Sequence, residues 1–221
     1  MRWLAFWSLA FRSLAVSALL LAGPALAQPR SLPLMSDSTQ SGATTDRCAP
    51  ALTGRGPPPV WVVANDASAS DGRVLTEMTR DRSEDRFALC VAPTAARDLD
   101  VSVRFHTVGG RVERVAGIAI RVVDAGTYYV VRADARQNNV RLYRVASGVA
   151  TPIGNRDITV TEDDWHSLRL RAFGDIFQVS LDGARLFEAS DRAIRQPGRI
   201  GLWTKSDAAT HFERLMVTVL D

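Results

Sequence analysis

The sequence predicts an all-β fold, an antiparallel β-sandwich, for residues 60–221 of the 221-residue chain. Short runs there alternate apolar and polar residues, which is the period-2 pattern of half-buried strands. Turn signals such as Gly174-Asp175 and Asp182-Gly183 separate the runs and supply the backbone angles that tight hairpins need. No window of the region sustains a helical period. Many short strands with regularly spaced turns are typical of a sandwich.

The strand predicted over 99–108 shows the alternation most clearly. Leu99, Val101, Val103 and Phe105 alternate there with polar residues. Because successive side chains of a strand point to opposite faces, these four should face the core. The same reasoning predicts eight further strands, over 115–123, 127–133, 140–146, 167–173, 176–181, 185–189, 200–204 and 212–220.

Residues 1–27 have the pattern of a cleavable export signal. Arg2 and Arg12 are the only charged residues before Arg30, and residues 14–21, which follow them, are almost wholly apolar. Ala25 and Ala27 place small residues at the positions that signal peptidase recognises, so cleavage after Ala27 is predicted. An uncleaved N-terminal anchor is the alternative, although the apolar run is short for a membrane span. The predicted location is secreted or periplasmic, with no integral membrane segment after cleavage.

Residues 28–59 are predicted to be a disordered linker rich in proline and serine. They hold six of the ten prolines and end in three consecutive ones. Such a composition buries too little apolar surface to offset its ordering entropy. Cys48 lies in this segment and Cys90 in the domain, and they are the two cysteines of the chain. In an oxidising compartment they can form a disulfide; two unpaired thiols, with Cys90 buried, are the alternative.

Charge argues against a nucleic-acid partner. The formal net charge is +3, and removal of the signal takes away two arginines. Residues 60–221 carry equal numbers of basic and acidic side chains, with no basic run. A domain without net charge is a poor candidate for binding polyanions.

Alternation also predicts a set of polar and aromatic side chains on one face of a curved sheet. Aromatic faces stack on the C–H groups of sugars, and forked arginine donors bind hydroxyls or carboxylates. The alternative is a solvated outer face with arginine stems lying on core aromatics. The predicted ligand-binding residues are Arg121, Tyr128, Arg132, Arg141, Tyr143, Trp203 and Lys205.

Two short motifs near the end of the chain carry a family resemblance. Trp165-His166 opens a strand, and Leu181-Asp182-Gly183 makes the turn of the hairpin that follows. Together with the segments 116–145, 163–187 and 198–215, they resemble the laminin-G-like, concanavalin A-like jelly-roll sandwich. The region is also similar to bacterial domains named for 3-keto-disaccharide hydrolases. Such domains include sugar binders, enzymes and spacers, so the resemblance implies the fold more than the function.

Trp165 and the three histidines are predicted to be structural. Trp165 is expected to fill the core and His166 to bond a neighbouring loop, while His106 and His211 are isolated in the sequence.

No catalytic motif is present. Glycoside hydrolysis needs two carboxyl groups at a fixed separation, and the Glu-x-Asp-x-x-Glu string of sandwich glucanases does not occur. Asp134 and Asp207 remain candidates for acid/base work, because each follows a basic member of the predicted face. A 3-keto sugar can lose its glycosidic substituent after proton abstraction beside the carbonyl, so one general base would be enough.

The sequence therefore predicts an exported, non-catalytic module that binds a carbohydrate or glycoside. The alternative is a glycoside hydrolase or lyase acting on 3-keto-disaccharides, and a structural module of the envelope is a third reading. No cofactor is predicted. The resemblance is compatible with a structural calcium ion at loop oxygens, but no Asp-rich loop has the spacing of calcium ligands.

Overall fold

The computed structural model describes residues 28–220, and the predicted signal segment lies outside them. Fifteen strands form two antiparallel sheets, and no helix occurs in the described range. The predicted fold class, an antiparallel β-sandwich, is confirmed. Residues 28–220 contain no helix that is long and apolar enough to cross a membrane.

The first sheet has eight strands in the order β13-β12-β11-β6-β15-β4-β3, with β1 paired to β15. The strands of the first sheet are β1 (Arg30–Leu32), β3 (Trp61–Asn65), β4 (Arg73–Glu77), β6 (Leu99–Gly109), β11 (Trp165–Phe173), β12 (Ile176–Leu181), β13 (Ala184–Ser190) and β15 (Ala209–Val219).

The second sheet has seven strands in the order β10-β9-β8-β7-β14-β5-β2. Its strands are β2 (Ala49–Gly54), β5 (Arg86–Ala96), β7 (Val115–Asp124), β8 (Thr127–Asp134), β9 (Asn139–Ala146), β10 (Val149–Asp157) and β14 (Gly198–Lys205).

The main core lies between the two sheets. On β6, Leu99, Val101, Val103 and Phe105 are all buried in it, as their alternation predicts. The second sheet contributes side chains such as Tyr129 from its inner face. Burying such side chains contributes about 1.5–3 kcal/mol each, so the sandwich is held mainly by this apolar layer.

The segment 28–59 differs from the predicted linker. Its β1 pairs with β15 in the first sheet, and its β2 pairs with β5 in the second. Cys48 and Cys90 form a disulfide with Cα atoms 5.2 Å apart, and this bond joins the start of β2 to β5. Proline is tolerated because β2 is an edge strand, where a missing N–H removes no ladder bond that the sheet needs. Composition predicts a linker here, whereas the structure pairs β1 and β2 with the two sheets and joins the segment to β5 through the disulfide.

Candidate ligand groove on the second sheet

The outer face of the second sheet carries its own apolar cluster, separate from the main core. The outward side of an antiparallel sheet is usually polar, so a buried apolar cluster there marks a surface that is shaped or covered. The cluster members, all buried, are Leu89, Val91, Val115, Ala119, Val122, Tyr128, Val130, Val145, Trp203 and Ala208. Ala51, Phe87 and Tyr143 are partly buried against them.

This outer face is concave. Strands β2 and β8 are separated by three strands, so in a flat sheet they would lie roughly 19 Å apart, at about 4.8 Å per step. Nevertheless the hydroxyls of Thr53 on β2 and Tyr128 on β8 are 2.9 Å apart. The Thr53 hydroxyl also donates to the carbonyl of Ala125 in the β7–β8 turn. The sheet must therefore curl until its corners meet on this side.

The hollow of the curl is an open groove with a volume of about 370 Å³. Side chains of β8, β9 and β10 form one side of it, and β5, β14 and the loop before β5 form the other. The lining residues are Glu84, Asp85, Phe87, Tyr128, Val130, Arg132, Tyr143, Val145, Ala150, Trp203 and Lys205.

An aromatic pair builds the β14 side of the groove. Trp203 stacks on Phe87 with ring centres 5.5 Å apart and planes at 19°. A Cβ on Gly117 would come within 2.9 Å of the Trp203 ring, so glycine at this position lets the indole lie against β7. Trp203 is only 4% exposed, whereas Phe87 is half-buried. Phe87 therefore offers the accessible ring, with Trp203 as its support.

The β8–β9 side combines an aromatic ring with a positioned cation. Arg132 donates to Asp134 at 2.6 Å and to Gln137 at 3.3 Å. Its guanidinium lies 5.7 Å from the ring centre of half-buried Tyr143. Burial raises the pKa of the Tyr128 hydroxyl deeper in the groove, against the opposing effect of the Thr53 hydroxyl and of the Trp203 indole beside it.

Charged side chains line the rim at the β5 and β14 end. Lys205 forms an ion pair with Glu113, which is itself buried. Glu84 and Asp85 are exposed on the loop before β5, and Oδ2 of Asp85 lies 3.5 Å from Nε of Arg55. The groove is thus apolar at its floor and charged at its mouth.

Five of the seven predicted ligand-binding residues line this groove: Tyr128, Arg132, Tyr143, Trp203 and Lys205. A sixth, Arg141, stands directly opposite Arg132 on β9 and shares its face of the sheet. Trp203, however, is a buried wall and not the open platform that alternation suggested.

Arg121 does not belong to the groove, and its prediction as a ligand-binding residue is wrong. It is fully buried, and its guanidinium donates to the carbonyls of Arg97, Ile194 and Gly174. The cause is local: Arg121 has φ of 49°, and the β7–β8 register shifts just after Ile120. A left-handed residue in a bulge breaks the period-2 alternation on which the prediction relied.

The two acid/base candidates act as structural anchors. One oxygen of buried Asp134 accepts from the backbone amides of Arg136 and Gln137, and the other from Arg132. Asp207 accepts from the amides of Arg111, Val112 and Glu113. Burial acts to raise the pKa of Asp207, but these amide bonds lower it overall. Neither carboxylate lines the groove. Both are also occupied by hydrogen bonds within the protein, so neither is placed to transfer a proton to a ligand in the groove.

Six groove-lining residues were missed from the sequence: Glu84, Asp85, Phe87, Val130, Val145 and Ala150. Phe87 lies in the unbroken apolar run 87–91, where both faces of β5 are buried. Alternation cannot separate two apolar faces, so no signal distinguished its outward side. Glu84 and Asp85 lie in the loop before β5, and the alternation of side chains between two faces applies only within a strand.

The outer face of the first sheet holds a separate histidine and tryptophan row. Trp165, His106 and His211 are neighbours on β11, β6 and β15, and Trp165 donates to Ser68 at 3.0 Å. Trp165 thus points outward, and its expected place in the core is wrong. His166 points inward and bonds Asp182 and Thr161, as predicted for a loop-fastening histidine. Within residues 28–220 no three His, Cys, Asp or Glu side chains are placed to hold a metal ion.

Comparison with known proteins supports the fold. No protein-family model and no curated protein matches the sequence. Among solved structures, the carbohydrate-binding module CBM66 from Bacillus subtilis is similar, with a TM-score of 0.63 and 18% identity. The match covers 78% of this chain and 97% of that one. A galectin-like protein of unknown function from Bacillus subtilis has a TM-score of 0.60 and 11% identity, over 86% and 94% of the two chains. Both similarities concern the fold.

Proposed function

We propose that this chain is an exported, non-catalytic carbohydrate-binding module whose ligand lies in the groove on the second sheet. The observation that carries the proposal is the groove itself, a concave surface with half-buried Phe87 and Tyr143 on opposite sides and Arg132 beside Tyr143. Its volume falls in the range of small-ligand sites.

The lining suits the two surfaces of a sugar ring. Accessible aromatic rings stack on C–H faces, and Arg132 and Lys205 offer donors to hydroxyl oxygens at the edge of the ring. The ion pairs with Asp134 and Glu113 hold these donors in place before a ligand arrives. Such preorganisation reduces the entropy that binding must overcome.

Similarity to the CBM66 module, a carbohydrate-binding protein by its name, agrees with the proposal. The disulfide between Cys48 and Cys90 fits an oxidising compartment outside the cytoplasm. Asp134 and Asp207, the candidate acid/base residues, are committed to backbone amides outside the groove, which favours binding over catalysis.

A glycan array and polysaccharide pull-down with the purified protein test the proposal, combined with analysis of each bound glycan for released sugar or aglycone. Retention of at least one glycan without turnover is the expected result. Turnover of a 3-keto-glycoside would replace binding with catalysis, and failure to retain any glycan would overturn the proposal.

A further inference from the structure

Two arginines stand side by side on the outer face of the second sheet, and one of them, Arg132, lines the groove. Arg132 on β8 and Arg141 on β9 are directly opposite partners in the antiparallel ladder, so their side chains leave the same face of the sheet. Like charges in directly opposite positions destabilise a strand pair. A sheet that keeps such a pair needs a compensating negative charge.

The protein compensates one of the two. Arg132 is paired with Asp134 at 2.6 Å. Arg141 forms no ion pair within residues 28–220, and its Nε is buried without a hydrogen-bond partner. The Tyr143 hydroxyl beside it raises the pKa of Arg141, so the guanidinium stays charged. A buried donor left unpaired destabilises the protein, and a bound acceptor would remove that penalty.

A second unpaired donor lies in the same row of the sheet. The row runs from Arg141 through Arg132 and Gly117 to Trp203. The indole N–H of Trp203 is buried and makes no hydrogen bond. Arg141 Nε beside the groove and the Trp203 indole N–H in its wall thus have no hydrogen bond of full geometry within the described residues, and the acceptor oxygens of a ligand would supply one.

The remaining charges orient a ligand along this row. Lys205 is neutralised by Glu113, and Asp85 lies near Arg55. Glu84 and Asp85, in the loop before β5, stand across the sheet from Arg141, since β8, β7 and β14 separate β9 from β5. An anionic group is attracted to the Arg141 end and repelled from the Glu84 end.

We infer that the groove selects a sugar that carries a carboxylate, a uronic acid residue, and that Arg141 is the residue that reads the carboxylate. The inference rests on the proposed carbohydrate-binding function. A planar guanidinium fork matches the two oxygens of a carboxylate, and such charge-assisted pairs are about twice as strong as neutral ones. The sugar ring then lies between Tyr143 and Phe87.

Matched ligands and matched variants test the inference. The ligands are an oligogalacturonate and the same oligosaccharide with its carboxyl groups methyl-esterified, which differ only at the carboxyl groups, where the ester has no charge. The variants are Arg141→Gln, Arg141→Lys and Arg171→Gln, the last an exposed arginine on β11 of the first sheet. Affinities are measured by calorimetric titration at low and high salt, because exposed charge pairs weaken with ionic strength.

The wild-type protein is expected to prefer the free acid over the ester at least tenfold. Arg141→Gln should abolish that preference, Arg141→Lys should keep part of it, and Arg171→Gln should leave it unchanged. Equal binding of acid and ester, or a full preference in Arg141→Gln, would overturn the inference while the proposed function stands. If a neutral glycan binds and neither galacturonate form does, the uronic acid inference fails while the proposed carbohydrate-binding function stands. If no glycan binds, the proposed function fails as well.

Discussion

The hydroxyls of Thr53 and Tyr128 are 2.9 Å apart, although their strands lie at opposite parts of the seven-stranded sheet. This contact joins the N-terminal segment to the groove. Tyr128 is fully buried beside the groove, and Thr53 belongs to a segment whose composition suggests a linker. The segment is therefore part of the structure that shapes the site.

Removing the Thr53 hydroxyl should destabilise the protein. Thr53→Val keeps the shape of the side chain but leaves the Tyr128 hydroxyl and the Ala125 carbonyl without this partner. We expect a loss of about 1–3 kcal/mol in the free energy of unfolding, measured by urea titration. Thr151→Val on exposed β10 is the control and should change stability little. Equal stability of the two variants would show that the contact does not hold the curl.

The disulfide should contribute strongly to stability, because it closes a 42-residue separation between Cys48 and Cys90. A loop of that length corresponds to about 4 kcal/mol in the loop-entropy account. Replacing both cysteines by serine should lower the urea midpoint accordingly. Peptide mapping without reductant should recover Cys48 joined to Cys90, and recovery of two free thiols from protein produced under oxidising conditions would contradict the pairing.

Much of the architecture could be predicted from alternation, and the failures have local causes. Leu99 to Phe105 alternate cleanly because one face of β6 is core and the other is polar. Arg121 was misplaced because one left-handed residue reverses the phase of a strand. Phe87 was missed because β5 is apolar on both faces.

The curl of the second sheet could not be predicted from the sequence at all. It depends on Thr53 and Tyr128, which are 75 residues apart in the chain. Composition also misled over 28–59, since a proline-rich stretch looks disordered unless its pairing partners are known. Alternation grouped five of the eleven groove residues, but the depth at which Trp203 lies follows from packing against Gly117.

Trp203→Ala should destabilise the fold as well as weaken the groove. The side chain is 4% exposed and supports Phe87. Truncating a buried tryptophan costs about 3–5 kcal/mol, so a marked drop in the melting temperature is expected, with a smaller drop for Trp203→Phe. An unchanged melting temperature for Trp203→Ala would mean that the indole is an exposed platform after all.

Lowering the pH should remove a stabilising contribution of Asp66 in the loop between β3 and β4. Burial acts to raise the pKa of Asp66, but hydrogen bonds from Ser68 and His211 lower it from 3.8 to about 2. A carboxyl with a depressed pKa stabilises the fold above its unfolded value of 3.8, and that contribution is lost as pH falls to about 2.

The expected contribution is about 1 to 2 kcal/mol, after allowance for solvent screening. Between pH 5 and pH 2 the wild-type protein should therefore lose that much more stability than Asp66→Asn, as measured by urea unfolding at each pH. Asp71→Asn, on the exposed part of the same loop, is the control and should follow the wild type. Parallel pH curves for wild type and Asp66→Asn would contradict this role.

The most direct test of the account is a calorimetric titration of the glycan that the array identifies against three variants: Phe87→Ala, Tyr143→Ala and Phe173→Ala. Phe87 and Tyr143 are the accessible rings of the groove, whereas Phe173 is 58% exposed on the first sheet and serves as the matched control. An aromatic stack is worth about 1–3 kcal/mol, by analogy with nucleobases. The account predicts at least a fivefold loss of affinity for each groove variant, at a melting temperature that shows the protein folded, and no loss for Phe173→Ala. Wild-type affinity in both groove variants, or a loss confined to Phe173→Ala, would contradict the assignment of the groove as the carbohydrate site.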